Sequence, residues 1–550
     1  MRLPILIALL AVAAPAAAEV TVADFELLEL GFAEPARSHR IADVDGDGKL
    51  DVSFVYTAAG TEPKPGADDD YWLRSCLYEP APHYSRCRDF DLPPSVRGYD
   101  VGRLDETAGA ELLLLTRDGA AVTSFGAGAN AGFGELRPLE FDSLLSATDP
   151  DAPLALQLFF DLDRDGRDEL VVPTLAGPAV LRAENGSLSP PVTLDSPATV
   201  QYRFSGPSRD LGVASNRHVI RRLAAQATAL AVLVDDFDGD GRTDITTSDG
   251  PRLRVFLQQP DGCFPSKPSL DVERSVLTPE EEEAGFAGEA LGFADLDGDR
   301  VADLISLKWG SSEERTKMDR HLFFARPGPS YPETPDQILR SESFFPEFEI
   351  SDLNGDGRRD LVIPYFHIAP AQAFKVMTQN ALRVQLRLFL MRENGRYAQG
   401  EGKRFAKVDR RVVLDYQLNV IRMIFGSRGP PDSFSPLLTT RGDFDGDGFA
   451  DLATDAGDDR LHLRFGNERA DYASWPDLAF PFESSLAYEL ADLNGDGRSD
   501  LISYYGAGIK NQSAKRPDRA PGELRRGSRP EPPGEPGELS EARIKILLSR

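Results

Sequence analysis

Carboxylates spaced two residues apart, followed by a glycine and a further acid, recur along this chain and could hold a hard cation. The first set is Asp43, Asp45, Asp47 and Asp51, with Gly48 between the last two. The pattern D-x-[DN]-x-D-G-x-x-[DE] returns at Asp161, Asp163, Asp165 and Glu169, and at Asp236, Asp238, Asp240 and Asp244. A fourth set, Asp295, Asp297, Asp299 and Asp303, has Arg300 in the glycine position. Asp352, Asn354, Asp356 and Asp360 follow, then Asp443, Asp445, Asp447 and Asp451, then Asp492, Asn494, Asp496 and Asp500. Calcium takes six to eight oxygens at about 2.3–2.6 Å in a tolerant geometry. Side chains at loop positions 1, 3 and 5 point inward as the chain curls, and the position-7 carbonyl follows. Glycine at position 6 permits the sharp turn, and the acid at position 9 can close the shell with both oxygens. The expected cofactor is calcium, six or seven ions.

An eighth copy is decayed. Arg103 replaces the first carboxylate and Thr107 the third, while Glu111 keeps position 9. A guanidinium there would fill the space of a cation, so this loop is expected to hold none. First positions then fall at 43, 103, 161, 236, 295, 352, 443 and 492, with gaps of 75 and 91 marking insertions near 195–230 and 365–440. An EF-hand shares the first six positions but ends on Glu at position 12 between two helices. Here the acid comes at position 9, and the flanks are short runs of strand formers. Leu156-Gln157-Leu158-Phe159-Phe160 precedes one loop and Leu361-Val362-Ile363 follows another. Strands, then, must position the loops.

Ala42-Asp43-Val44-Asp45-Gly46-Asp47-Gly48 and Gly442-Asp443-Phe444-Asp445-Gly446-Asp447-Gly448 resemble FG-GAP/VCBS repeats, the units of integrin α-subunit propellers and of many bacterial secreted proteins. The resemblance covers nearly all of residues 19–550. It implies an all-β fold, a single β-propeller of eight four-stranded blades, or seven if the decayed copy merges into a neighbour. Calcium would sit in the turn between the first two strands of each blade. Val20 to Leu30 reads as a strand without a repeat of its own. Paired into the last blade, alongside the apolar finish Ile544 to Leu548, it would close the ring and remove exposed edges. The Pro/Gly-rich stretch 506–542 is expected to be a flexible loop.

Arg2, the apolar run Leu3 to Ala13, and Ala16-Ala17-Ala18 before Glu19 make a secretory signal peptide over residues 1–18. The mature chain is therefore expected to be secreted or periplasmic. No segment reaches the roughly 20 apolar residues a membrane helix needs. Of the acids behind the net charge of −28, 26 sit at loop positions, and setting them aside leaves −2. The acidity belongs to the loops, and it speaks against nucleic acid as a partner, since duplex binding needs a basic surface. Cys76 and Cys87 are expected to form a disulfide stapling a hairpin of blade 1, as an oxidising compartment permits, with Cys263 left as a free thiol.

In an up-and-down blade the turns between strands 1–2 and 3–4 share one face, so a ligand site is expected on the other, where loops vary. There the second strands of blades 1, 5, 6 and 8 end in aromatics: Tyr56, Trp309, Tyr365-Phe366 and Tyr504-Tyr505. Such rings are favoured at recognition hot spots; the competing expectation is that they cap the blade core. H-E-x-x-H and G-x-S-x-G motifs are absent, the six histidines are scattered, and no residue is assigned as catalytic. Two functions follow. The first is a calcium-stabilised, non-catalytic binding or adhesion/scaffold propeller that recognises protein or glycan outside the cytoplasm. The second is a calcium-dependent polysaccharide-active enzyme, since some rhamnogalacturonan lyases resemble this architecture. Those lyases carry an additional N-terminal β-domain for which there is no room before Asp43, which favours binding.

Overall fold

The computed structural model describes residues 20–32, 36–57, 71–106, 109–126, 132–139, 141, 143–147, 153–184, 187–205, 222–228, 231–249, 251–274, 277–283, 286–311, 316–326, 330–341, 348–365, 381–400, 405–417, 438–455, 459–482, 487–505 and 542–550. The signal peptide expected at 1–18, Phe366 and all but the last residue of the 506–542 loop lie outside the described residues.

Each loop sits between two short apolar runs, and in every blade the position-9 acid opens the second strand. Blade 1 shows the plan: Ala36–Ala42, Asp51–Thr57, Tyr71–Leu77 and Arg86–Leu92 pair antiparallel in sequence order. Seven more sheets repeat it, with second strands opening at Glu111, Glu169, Asp244, Asp303, Asp360, Asp451 and Asp500. The result is a ring of eight blades. The decayed repeat does not merge into a neighbour. It forms its own blade around Val96–Gly102, enlarged by Leu154–Ala155 lying parallel to that strand and by Gly132–Phe133.

The ring closes through the N-terminal segment. Val22–Asp24 is a short 3-10 turn rather than strand, and Phe25–Phe32 pairs antiparallel with Ala542–Ser549 as the fourth strand of blade 8, Leu27 opposite Leu547. Both ends of the chain are thereby tied into one sheet, and the last blade has no unpaired edge from a missing strand. The insertion expected near 195–230 contains a separate hairpin, Thr199–Ser205 with Arg222–Thr228. Cys76 and Cys87 lie opposite each other in the third and fourth strands of blade 1, bonded with Cα atoms 4.0 Å apart. Cys263 is exposed and free.

Strand alternation sends successive side chains to opposite faces, so each blade packs apolar side chains against both neighbours. From the second strand of blade 1, Val52 and Phe54 meet Ile502 and Ile546 of blade 8. Val55, from the same strand, joins Val101, Leu112 and Leu114 of blade 2. Among the described residues no helix is long and apolar enough to cross a membrane.

Candidate metal centres

The loops share one internal geometry. In all seven intact copies the position-6 N–H donates to the position-1 carboxylate, at distances from 2.8 Å (Gly357 to Asp352, Gly497 to Asp492) to 3.1 Å (Gly166 to Asp161). The turn needs a left-handed residue at position 6, where φ is +85° at Gly48 and +71° at Arg300. It needs a second at position 4, which the sequence reading did not single out. Gly46, Gly239, Gly298, Gly355, Gly446 and Gly495 all have positive φ there, and Arg164 adopts φ +59° in the third loop. Six glycines at one loop position were the available signal.

Arg300 therefore pays a backbone cost that its glycine counterparts do not. A Cβ built on Gly48, Gly166, Gly241, Gly357, Gly448 or Gly497 would meet nothing within 4 Å, so conformation alone decides the preference at position 6. Left-handed backbone costs an L-residue about 1–2 kcal/mol. Arg300→Gly is expected to stabilise the chain by about 1 kcal/mol, read as a higher denaturation midpoint both with calcium and in chelator. An unchanged or lower midpoint would refute the strain at this position.

The position-9 acid does more than face the loop centre. In every intact loop it accepts the position-2 N–H, as Asp51 does from Val44 at 2.8 Å and Asp451 from Phe444 at 2.7 Å. In six of them its second oxygen accepts an N–H just beyond, or at the end of, the third strand, such as Tyr78 to Asp51 at 2.7 Å and Met391 to Asp360 at 2.8 Å. The carboxylate is thus pinned to the sheet, with remaining lone pairs available to a cation. Glu111 of the decayed loop keeps the first of these bonds, from Leu104 at 2.8 Å. Arg103 donates its N–H to Asp168 of the next loop at 2.6 Å, and Thr107 lies outside the described residues.

Neighbouring loops are also joined. The position-8 N–H reaches a carbonyl at the start of the preceding loop: Ala110 to Val44, Asp168 to Arg103, Ala302 to Phe237, Arg359 to Leu296, Ser499 to Asp443, and Leu50 to Leu493 across the closure. Between blades 3 and 4 the Gln258 side chain donates to Leu162 O instead, at 3.1 Å.

Among the described residues five clusters bring one oxygen from each of three acids within 4.8 Å of one another: Asp43–Asp45–Asp51, Asp161–Asp163–Asp165, Asp236–Asp238–Asp244, Asp295–Asp297–Asp299 and Asp443–Asp445–Asp451. The intact sets of blades 6 and 8 carry Asn354 and Asn494 at position 3, so one donor there is an amide oxygen rather than an acid. Burial, reinforced by neighbouring carboxylates, pushes Asp51, Glu169, Asp303 and Asp360 up to about 7 and Asp451 up to about 8. The same causes put Asp244, Asp445 and Asp500 at about 6. Crowded, partly buried oxygens of this kind favour a proton or a cation at their centre, and an all-oxygen donor set suits a hard cation.

The aromatics expected on the opposite face divide. Tyr56 and Tyr504, 7% and 2% exposed, belong to the core between blades 1 and 8 rather than to the surface. Tyr504 stacks on His39 with centroids 3.5 Å apart and donates to Glu489 at 3.3 Å. The closing junction brings blade 1 close enough to cover it. Trp309 and Tyr365 remain half-buried, and the guanidinium of Arg387 lies 3.4 Å from the Tyr365 ring centroid. Phe366 and the Tyr505 side chain lie outside the described residues. Tyr504→Ala should behave as a core truncation, costing about 3–5 kcal/mol; a melting curve matching wild type would refute that. Sequence reasoning passed over Trp475, which lies between the third and fourth strands of blade 7 and is 83% exposed.

Residues 236–306, spanning the fourth loop into the second strand of blade 5, match the FG-GAP-like repeat family. No curated protein matches the chain. Among solved structures it is similar to the exotype rhamnogalacturonan lyase YesX at 14% identity, over 87% of this chain and 74% of that one, with a TM-score of 0.23. A rhamnogalacturonan lyase of Bacillus licheniformis is similar at 12% identity, over 86% and 89% of the two chains, with a TM-score of 0.23. TcdB2-TccC3 is similar at 12% identity over 88% of this chain and 26% of that one, with a TM-score of 0.18. Likeness at these scores carries no argument about activity.

Proposed function

The chain is an FG-GAP-type β-propeller protein, and on that premise we propose that it is a calcium-stabilised, non-catalytic binding propeller working outside the cytoplasm. The observation that carries the reading is the division of labour between faces. On the loop face, five of the seven intact loops bring one oxygen from each of three acids within 4.8 Å of one another, and the other two carry an amide at position 3. On the other face, blades 5 and 6 offer partly exposed aromatic rings. Calcium at the seven loops would halve the formal charge of −28. The expected ligand is a protein or glycan, bound through the face opposite the loops.

Metal analysis of the exported protein should find six or seven calcium ions per chain. A glycan array probed with and without calcium tests the binding face. Trp309→Ala is expected to weaken binding at least tenfold while leaving calcium content unchanged, because the ring lies at the far end of its strand from the loop. Full retention of ligand by Trp309→Ala would move the site elsewhere. Release of unsaturated ends from an acidic polysaccharide, followed in the ultraviolet, would replace this reading with the enzymatic one.

A further inference from the structure

The loop of blade 3 departs from the other intact loops in how far its acids are sheltered. Asp161 and Asp163 are exposed, whereas the groups at positions 1 and 3 are half-buried in blades 1, 4, 5, 6, 7 and 8. Asp161 accepts one loop N–H, from Gly166 at 3.1 Å. Each of the other six first-position acids accepts at least two, as Asp236 does from Gly239 and Gly241, both at 2.9 Å.

A guanidinium from outside the loop lies against these acids. Arg182 directly follows the third strand of blade 3, Gly177–Leu181. Its Nη2 is 3.9 Å from Asp163 Oδ2, and its Nε is 4.0 Å from Glu169 Oε1. In the other six loops that second oxygen of the position-9 acid accepts a backbone N–H. Here the Arg182 N–H goes to Ser189 Oγ at 3.0 Å, and the Arg182 side chain stands at the acid instead. Blade 4 holds the guanidinium from the other side, through Asp261 O at 3.3 Å and Gly262 O. Arg167, at position 7, also pairs with Asp165, its Nε at 2.9 Å. Arg242 and Arg358 make that short pair in their own loops; in blade 3 Arg182 is added to it.

These features act in one direction on a cation. A fixed positive charge beside the acids repels calcium and offsets the charge of the donors. Exposed carboxylates are already solvated, so a cation has less crowding to relieve. A first-position acid held by a single N–H is also less preorganised for binding.

Resting on the reading of the intact loops as calcium sites, we infer that Arg182 makes the blade 3 loop the weakest of the seven. It fills roughly tenfold less tightly than the others, because a resident guanidinium stands where they leave their acids to a metal. Arg103 occupies position 1 of the decayed loop just before it. Blades 2 and 3 thus form a sector of the ring whose loops carry arginine, and whose junction with blade 4 is held by Arg182 rather than by metal.

The test is titration of calcium-stripped, full-length protein with calcium, in competition with a chromophoric chelator. Wild type should show six tight sites and a seventh roughly tenfold weaker. Asp163→Asn should keep six tight sites, whereas Asp238→Asn, in the blade 4 loop, should leave five. Arg182→Gln should tighten the seventh site at least threefold, and Arg469→Gln, on blade 7, should titrate as wild type. Should Arg182→Gln fail to fold, the counts for Asp163→Asn and Asp238→Asn decide alone. Seven equal sites, or a count of five in Asp163→Asn, overturns the inference and leaves the calcium reading standing. So does a seventh site unmoved by Arg182→Gln in a folded chain, or a weak site abolished by Asp297→Asn in blade 5. Calcium binding at none of the loops would overturn the calcium reading itself, and this inference with it.

Discussion

Excess chelator is expected to lower the melting temperature sharply, and more so at pH 8 than at pH 5. A cation that binds only the folded chain stabilises it by about 2.7 kcal/mol per independent site at a hundredfold excess over Kd, and seven loops multiply the effect even where they are not additive. The pH dependence follows from the buried position-9 acids. In the cation-free chain Asp51, Asp303 and Asp360 are raised to about 7 and Asp451 to about 8, against about 4 for an unfolded carboxylic acid. The folded state therefore holds more protons than the unfolded one between those values. That stabilisation is complete below about pH 4 and is lost as pH rises through 7 to 8. Cation-free protein should melt higher at pH 5 than at pH 8, whereas calcium, which must displace those protons, should add most at pH 8. Melting curves at the two pH values with calcium and with chelator decide it. Curves that ignore the chelator, or a cation-free midpoint that rises with pH, would count against cation-holding loops.

Loop positions 1, 3, 5 and 9 were legible in the sequence because acids or amides recur there at fixed spacing. The blade count followed, since each copy marks the turn between two strands. Other features left weaker traces. The bonds between successive loops use backbone N–H and C=O groups, as from Ala302 to Phe237, and backbone groups carry no residue signature. Tyr56 and Tyr504 could be read either as ligand-face rings or as caps of the blade core, because the sequence places them at strand ends. Their burial depends on how blades 8 and 1 meet across a closure between distant segments.

Asp100→Asn is expected to destabilise the ring by about 3–5 kcal/mol without changing calcium content. Asp100 lies in the first strand of blade 2 and is fully buried. One of its oxygens is 2.7 Å from Arg40 Nε of blade 1 and accepts the Val101 N–H at 2.8 Å. The other accepts the N–H groups of Leu158 and Phe159, at the start of blade 3, at 2.6 and 3.0 Å. One carboxylate thereby ties three consecutive blades together, and every neighbour is a donor. An amide must turn its NH2 group toward one set of those donors, leaving either Arg40 or two backbone N–H groups unmatched. Removing Arg40 as well, in Arg40→Met/Asp100→Leu, would eliminate the buried charge but still orphan Leu158 and Phe159. The double variant should therefore recover only part of the loss, whereas an isolated ion pair would allow full recovery. Denaturant midpoints at saturating calcium read the three chains side by side. A midpoint for Asp100→Asn equal to wild type, or full recovery in the double variant, would show that the blades are held in register by the apolar seams and the loop-to-loop bonds alone.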